Sequence, residues 1–286
     1  MKKLRHLYVL LAIVFSITVL EFIYLSRING GSNEVIYVLA APVSKPIIDL
    51  AVERFKEISS IEVLVDYAAS GTILAKLEAG VQADVVIFAS SDLGEVAAAH
   101  GLVISESKTE LAYVLPALFI KADLSPIVKC IDDLAALDVK IGVANPAVAP
   151  IGVEAYYIIN QSANRDRLLS KVVVQARDAQ ELLAILKFGG VDAAFLWHIY
   201  EEGLRSIAKP IYPWECGYKF HVYSQVAYVT AKSKNEKLAR EFIEFLTKDS
   251  FIKDKLKELG YLNSINEVND YIAKHLNQTS MSYYGK

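Results

Sequence analysis

The sequence predicts an α/β fold with two lobes, each a mainly parallel sheet flanked by helices. Short β-branched runs alternate with amphipathic helical stretches from Val35 to His100, and the same alternation returns from Lys140 to Trp197. Strands that alternate with helices in this way are typical of parallel sheets covered on both faces. Between the two sets, the apolar stretch from Leu111 to Lys121 is long enough to pass from one lobe to the other.

In the first set, Pro46 precedes a helix with an apolar face, and glycines follow the next two helices. The predicted strands are 35–41, 61–67 and 84–88, and the predicted helices are 47–58, 73–79 and 93–100.

The second set and the C-terminal part continue with similar elements. The predicted strands are 140–144, 172–175, 193–197 and 223–230, and the predicted helices are 131–137, 153–160, 165–169, 179–187, 235–246, 251–259 and 267–276.

Composition limits the classes of protein to consider. Of the 286 residues, 53% are hydrophobic and 22% are charged, which favours a large buried core over disorder. The formal net charge is −3 and no basic block lies beyond the N-terminus, so a nucleic-acid partner is disfavoured.

The N-terminus carries a targeting segment. Lys2, Lys3 and Arg5 precede an apolar run from Leu7 to Leu25, which Glu21 interrupts. Such a run is either a cleaved secretory signal or an uncleaved membrane anchor, and we favour the anchor because no cleavage site stands out before the following glycines. No cysteine follows the run directly, which excludes a lipid-anchored protein, and the basic flank predicts that the rest of the chain lies outside the cytoplasm.

The chain has two cysteines, Cys130 and Cys216, and both fall in the predicted second lobe. An extracytoplasmic location would permit a disulfide between them, but their wide separation in sequence makes the bridge the less favoured interpretation. A metal site at this pair is less favoured still, because no CxxC motif or histidine cluster accompanies it.

Two stretches carry the functional signal. The first, YAASGTILAKLEAGVQADVVIFA from Tyr67 to Ala89, opens a helix near Ser70; the second, NPAVAPIG from Asn145 to Gly152, opens another. The first N–H groups of a helix have no internal partner and lie at the positive end of the helix dipole. The two stretches therefore predict an anion site that uses neutral donors rather than cations.

These stretches resemble the molybdate-binding proteins that supply ABC importers. The similarity lies in the serine turn at Ser70 followed by LAKLEAG and ADVVIFAS, and in the spacing from Pro146 to Gly152, although Asn145 replaces the usual Asp. The resemblance extends more loosely from about Val35 to Tyr261. It implies a periplasmic-binding-protein fold whose two lobes close on a tetrahedral molybdate or tungstate, with no resident cofactor.

The resemblance also implies which residues hold the oxyanion. Ser70 matches the family's first-turn serine, Gly71 and Thr72 share its turn, and a second serine falls at Val43 or its neighbour Ser44. The Pro-x-Gly turn contributes Ile151 and Gly152, the start of the helix predicted at 179–187 contributes Ala179, and the family's tyrosine falls at Trp197. The complete expected set is Val43, Ser44, Ser70, Gly71, Thr72, Ile151, Gly152, Ala179 and Trp197.

Several alternatives stay open. Helix capping alone would explain Ser70 or Asp178, and we favour capping only for Asp178. The same fold would also serve sulfate, phosphate or a small organic acid, for which Arg177 is the candidate cation. An enzyme is disfavoured because the common catalytic motifs are absent; an anchored structural or sensory module is the last alternative.

The domain organisation follows from these observations. We expect residues 1–31 to form the anchor or signal, residues 32–117 and 224–286 to form the first lobe, and residues 118–223 to form the second. The expected partners are a small inorganic anion and an ABC permease in the membrane, and the protein is expected to be a monomer.

Overall fold

A computed structural model describes residues 34–59 and 61–276 of the chain. Its ten strands are β1 (Val35–Ala40), β2 (Glu62–Tyr67), β3 (Val85–Phe88), β4 (Thr109–Val114), β5 (Pro116–Lys121), β6 (Ile141–Ala144), β7 (Val172–Ala176), β8 (Ala193–Trp197), β9 (Ala208–Ile211) and β10 (Tyr223–Val229).

The strands form two five-stranded sheets with the same pattern of directions. The first sheet has the order β2-β1-β3-β10-β4, and the second has the order β7-β6-β8-β5-β9. In the first sheet, β10 is antiparallel to both of its neighbours, so the other four strands run the same way. In the second sheet, β5 is antiparallel to both of its neighbours, so the other four strands again run the same way. The predicted two-lobed α/β class with mainly parallel sheets is confirmed.

Ten α-helices cover the two sheets in the described part of the chain. They are α1 (Lys45–Ser59), α2 (Ser70–Glu78), α3 (Ser91–Ala99), α4 (Pro150–Ile159), α5 (Arg165–Ser170), α6 (Ala179–Lys187), α7 (Glu201–Leu204), α8 (Glu236–Lys248), α9 (Ser250–Glu258) and α10 (Ile265–His275).

Most elements lie within a few residues of their predicted positions, and the differences have local causes. Helices α2 and α4 each begin three residues earlier than expected, so Ser70 and Pro150 lie in the first helical turn. Proline fits the first turn of a helix because its missing N–H would have had no partner there. The segment 131–136 forms a 3₁₀ helix rather than an α-helix.

Strand β9 was not predicted from the sequence. Its four residues, AKPI, contain Pro210, which cannot donate a hydrogen bond to a neighbouring strand. The structure accommodates the proline because β9 lies at the edge of the second sheet and pairs with β5 alone.

The chain passes between the two sheets at Leu115 and returns just before Tyr223. The apolar stretch expected to cross does so as two strands, β4 in the first sheet and β5 in the second. The limits of the two lobes, at residues 117 and 223, stay a prediction.

A buried histidine holds the first crossing in place. The His198 backbone N–H donates to the Leu115 carbonyl at 2.9 Å, and the Leu115 N–H donates to His198 Nδ1 at 3.0 Å. Burial lowers the pKa of His198 to about 3. The ring is therefore neutral at physiological pH, and Nδ1 is free to accept the hydrogen bond.

A buried carboxylate holds the second crossing. Glu154 of α4 is 0% exposed. It accepts hydrogen bonds from the His221 backbone N–H at 2.9 Å, from His221 Nδ1 at 2.8 Å and from the Tyr223 hydroxyl at 3.0 Å. Because a buried carboxylate needs several donors, Glu154 ties the returning segment firmly to α4.

The C-terminal helix adds a third connection. The Tyr271 hydroxyl of α10 lies 2.5 Å from the Tyr212 hydroxyl and 3.2 Å from the Glu201 carboxylate, and both partners follow strands of the second sheet. The chain thus returns to the second lobe after completing the first.

None of the helices within residues 34–276 is both long enough and apolar enough to cross a membrane. The predicted anchor or signal, residues 1–31, lies outside the described residues.

The two cysteines, for which the sequence favoured no bridge, form a disulfide. Cys130 and Cys216 have their Cα atoms 5.5 Å apart and are joined across 86 residues of sequence. The bridge connects the 3₁₀ segment before β6 to the segment that leads back to the first sheet. Separation along the chain was a poor guide because the fold brings both ends of the second lobe together.

Reduction of this disulfide should lower the free energy of unfolding by roughly 2–5 kcal/mol, because the open chain regains the entropy of a long loop. Urea unfolding with and without a thiol reductant measures the change, and a variant with both Cys130→Ser and Cys216→Ser should show no response to the reductant. An unchanged unfolding midpoint in the native sequence would contradict a stabilising bridge.

Candidate functional site

Six strands from the two sheets end at one small cavity. Its wall is formed by residues at the ends of six strands or in the turns that follow them. These strands are β1, β2 and β3 of the first sheet and β6, β7 and β8 of the second. These residues are Ala41, Pro42, Val43, Ala69, Ser70, Ala89, Ala149, Pro150, Ile151, Asp178, Ala179 and Trp197. The cavity has a volume of about 20 Å³.

Ser70 presents its hydroxyl as a donor. The residue is 1% exposed, and its Oγ accepts a hydrogen bond from the Ala89 backbone N–H at 2.9 Å. It makes no capping hydrogen bond to its own helix, so the capping alternative does not describe it. Because the neighbouring amide fills an acceptor position on Oγ, the hydroxyl proton remains for a further acceptor.

Three backbone N–H groups on the wall have no hydrogen-bond partner among the described residues. They belong to Val43, Ile151 and Ala179, which are all buried. Each lies in the first turn of a helix, where N–H groups lack partners by geometry. Val43 follows Pro42 in a 3₁₀ turn, Ile151 follows Pro150 in α4, and Ala179 begins α6.

Ser44, one of the expected site residues, does not line the cavity in this structure. Its Oγ donates to Gln225 Oε1 of β10 at 2.6 Å, and the residue is 1% exposed. The 3₁₀ turn from Pro42 to Ser44 directs this side chain towards the first sheet, while Val43 reaches the cavity wall. Ser44 therefore supports the fold rather than the site.

Three other expected residues lie beside the wall rather than on it. The Gly71 N–H donates to the Val148 carbonyl at 2.8 Å, and the Gly152 N–H donates to the Ala149 carbonyl at 2.9 Å. Thr72 does not contribute to the wall. Gly152 is required for packing, since a Cβ there would lie 2.3 Å from the Ala144 carbonyl oxygen. These residues shape the turns that carry the donors.

Trp197 forms one side of the cavity as expected. It is 1% exposed and contacts Tyr223 edge to face, with ring centroids 5.0 Å apart. This places an aromatic wall next to the segment that returns to the first sheet.

The charges around the cavity are few. Asp178 caps α6, with its Oδ1 accepting from the N–H groups of Gln180 and Glu181 at 2.8 and 2.9 Å, so the favoured capping interpretation holds. The Arg177 side chain is 83% exposed and pairs with Glu181 at 3.2 Å. The residues that line the cavity include no lysine or arginine.

Tyr200 is a buried polar residue near the site that the sequence did not reveal. Its hydroxyl is buried without a hydrogen-bond partner in the described part of the chain. Burial first, and then the negative charge of Asp178, raise the pKa of this hydroxyl above its ordinary value. A tyrosine three residues beyond a buried strand carries no sequence pattern that marks it.

The composition of the wall suits an anion better than catalysis. One hydroxyl and three unpaired backbone amides belong to residues that line one small cavity, and the lining includes no lysine or arginine. A serine nucleophile needs a base to accept its proton, and no histidine or carboxylate in the described residues accepts one from Ser70.

Two solved structures of molybdenum or molybdate proteins share this fold. A substrate-binding domain of a putative molybdenum ABC transporter from Clostridium difficile is 25% identical, with a TM-score of 0.59 over 80% of this chain and 99% of that one. A periplasmic molybdate-binding protein from Azotobacter vinelandii is 18% identical, with a TM-score of 0.70 over 79% and 98% of the two chains.

A protein named for a different anion, sulfate, has a comparably similar structure. The sulfate-binding protein from Mycobacterium tuberculosis is 14% identical, with a TM-score of 0.68 over 84% of this chain and 91% of that one. No curated protein sequence matches the chain.

The sequence profile of one family matches residues 36–251, most of the chain and nearly all of the two sheets. That family and the similar structures bind solutes for transport and are not enzymes. The chain belongs to the bacterial extracellular solute-binding proteins.

Proposed function

We propose that this protein binds a tetrahedral oxyanion, molybdate or tungstate, between its two lobes and delivers it to an ABC permease. The observation that carries the proposal is the set of buried donors without partners: the Ser70 hydroxyl and the N–H groups of Val43, Ile151 and Ala179. A buried donor without an acceptor costs roughly 1–3 kcal/mol, so an oxyanion in contact with these donors would stabilise the arrangement.

The donors favour an anion that carries no proton. A protonated oxyanion needs an acceptor for its own O–H, and an unpaired buried hydroxyl is costly. The one carboxylate on the wall, Asp178, has its Oδ1 occupied by two amides of its own helix, so four donors face only its Oδ2 as a remaining carboxylate acceptor. The excess of donors supports molybdate, tungstate or sulfate over phosphate, and the choice between the first two and sulfate would then depend on the size of the anion.

The exposed position of Arg177 argues against a carboxylate ligand. Organic acids in proteins are commonly held by a bidentate arginine. Because Arg177 is paired with Glu181 away from the cavity, the donor set supports an inorganic oxyanion.

Binding requires the lobes to part. The four donors belong to residues that are buried between the lobes, so an anion from solvent can reach them only if the lobes move apart. A hinge motion at the two crossings, near Leu115 and Tyr223, would admit the anion and close again around it.

We further propose that the protein works as a monomer on the outer side of the cell membrane. The extracellular family supports the location, and the basic flank and apolar run of residues 1–31 support a tether that remains attached.

Molybdate and tungstate should raise the melting temperature of residues 33–286, and phosphate should not. At 100 times its dissociation constant a ligand adds about 2.7 kcal/mol of stability, which corresponds to roughly 5–10 °C for a domain of this size. A thermal-shift panel of molybdate, tungstate, sulfate and phosphate measures this. Strongest stabilisation by phosphate would overturn the donor-only site, and equal stabilisation by sulfate would remove the selection by size.

Ser70→Ala should weaken molybdate binding by roughly 10- to 150-fold, because a hydrogen bond to a charged acceptor contributes about 1.5–3 kcal/mol. Isothermal titration calorimetry measures the affinity. The change also leaves the Ala89 amide without its acceptor, so some stability is lost.

Ser107→Ala is the matched control for this variant. The Ser107 Oγ accepts from the Val229 N–H of the same sheet, also at 2.9 Å, but lies away from the cavity. It should lower stability while leaving the affinity unchanged. Equal affinities of the Ser70 and Ser107 variants would remove Ser70 from the site.

The full-length native protein should remain in the membrane fraction after a carbonate wash and keep its N-terminal residues, because the run from Leu7 to Leu25 approaches the length of a membrane span. Mass spectrometry of the purified protein reads the N-terminus directly. A mature chain that starts near Gly30 or Asn33 and is soluble would identify a cleaved signal instead.

A further inference from the structure

A backbone hydrogen bond joins the two lobes beside the cavity. The Gly71 N–H in the first turn of α2 donates to the Val148 carbonyl at 2.8 Å. Gly71 directly follows Ser70, and Val148 lies just before Pro150 and Ile151 at the start of α4. The hydrogen bond therefore connects the turn that carries the Ser70 hydroxyl to the turn that carries the Ile151 amide.

The approach is so close that position 71 has no room for a side chain. A Cβ on Gly71 would lie 2.8 Å from Val148 Cα, 3.1 Å from the Val148 carbonyl oxygen and 3.3 Å from the Ala147 carbonyl oxygen. All three are backbone atoms, which cannot rotate away. Glycine is the residue that allows two backbones to meet in this way.

The turn around Val148 is rigid on the second lobe. Asn145 Oδ1 accepts from the Ala147 N–H at 2.9 Å, and the Asn145 carbonyl accepts from Val148 and Ala149 at 3.2 and 2.9 Å. The Asn145 N–H in turn donates to the Ala176 carbonyl at 2.7 Å. The Val148 carbonyl is thus held at a fixed position relative to the second sheet.

On the first lobe, the Gly71 N–H is available to donate across the cleft. An N–H in the first turn of a helix has no partner in its own helix. The Thr72 N–H, one residue further on, has no partner among the described residues, whereas the Gly71 N–H is satisfied across the cleft.

We propose that Gly71 and Val148 form a closure latch that positions Ser70 against Ile151 across the bound anion. The proposal rests on the oxyanion function proposed above. When the latch forms, the Gly71 turn and the turn held by Asn145 bring the Ser70 hydroxyl and the Ile151 amide to the same cavity from the two lobes. A contact present only in the closed arrangement raises the closed population and, with it, the affinity for a ligand that needs both lobes.

Hydrogen exchange in the native sequence tests the latch without any mutation. The Gly71 amide should exchange more slowly than the Thr72 amide in the anion-free protein, and saturating molybdate should slow the Gly71 amide further. NMR detection of both amides gives the comparison. Equal exchange of the two amides in both conditions would falsify the latch. If molybdate does not bind, the oxyanion proposal fails and the anion-free comparison alone decides on the latch.

Gly71→Ala tests the contribution to binding. The added Cβ should hold the lobes apart and weaken molybdate binding about tenfold or more, which corresponds to at least about 1.4 kcal/mol. Gly203→Ala is the matched control, because nothing lies within 4 Å of a Cβ at that helical position. It should bind molybdate like the native protein.

The readouts separate a positioning role from a general loss of structure. Anion-free Gly71→Ala should still unfold cooperatively, with a melting temperature lowered by no more than the loss of the one backbone hydrogen bond requires, and should lose most of the stabilisation by molybdate. Equal molybdate affinity of the two variants would overturn the latch. Should Gly71→Ala fail to fold, the hydrogen-exchange comparison in the native sequence still gives the answer.

Discussion

Buried backbone donors without partners are the constraint on which this structure depends. The N–H groups of Val43, Ile151 and Ala179 converge on one cavity, and the Ser70 hydroxyl joins them. Each such group is unfavourable when it is dry and unpaired, yet each becomes favourable once it contacts an anion. The two sheets bring the residues that carry these four groups to the same cavity.

The direction of the strands accounts for the convergence. In each sheet four of five strands run the same way, and the ends of three from each sheet reach the cavity. In open α/β sheets the helices begin after the carboxyl ends of the strands, so their unpaired N–H groups face the ligand. Pro42 and Pro150 strengthen this arrangement, because they start their helices at fixed positions and leave the next amide as the donor.

The two crossings between the sheets are held by buried polar residues of the second lobe. His198 makes two hydrogen bonds with Leu115, and Glu154 makes three with His221 and Tyr223. Buried hydrogen bonds of this kind are costly to break, so both segments are firmly attached to the second lobe. In the proposed hinge motion, the residues that move would be the few between these attachments and the first sheet.

The sequence by itself determined the alternation of strands and helices, the helix starts to within a few residues, and Ser70 as a candidate donor. These features are local: they depend on periodicities of two and 3.6 residues, on prolines, and on the absence of intrahelical partners in a first turn. The resemblance carried by the two motifs then identified Val43, Ile151, Ala179 and Trp197, which the structure places on one wall.

Only the tertiary structure decided how each polar group is used. Ser44 and Gln225 lie 181 residues apart in sequence, so the loss of Ser44 from the site could not be read from either segment. The same holds for the disulfide across 86 residues, for the Gly71 amide that bonds to Val148, and for the buried Tyr200 hydroxyl near Asp178. A local pattern states which groups are available to bond, but the partner of each group depends on which distant segments the packed sheets bring within about 3 Å.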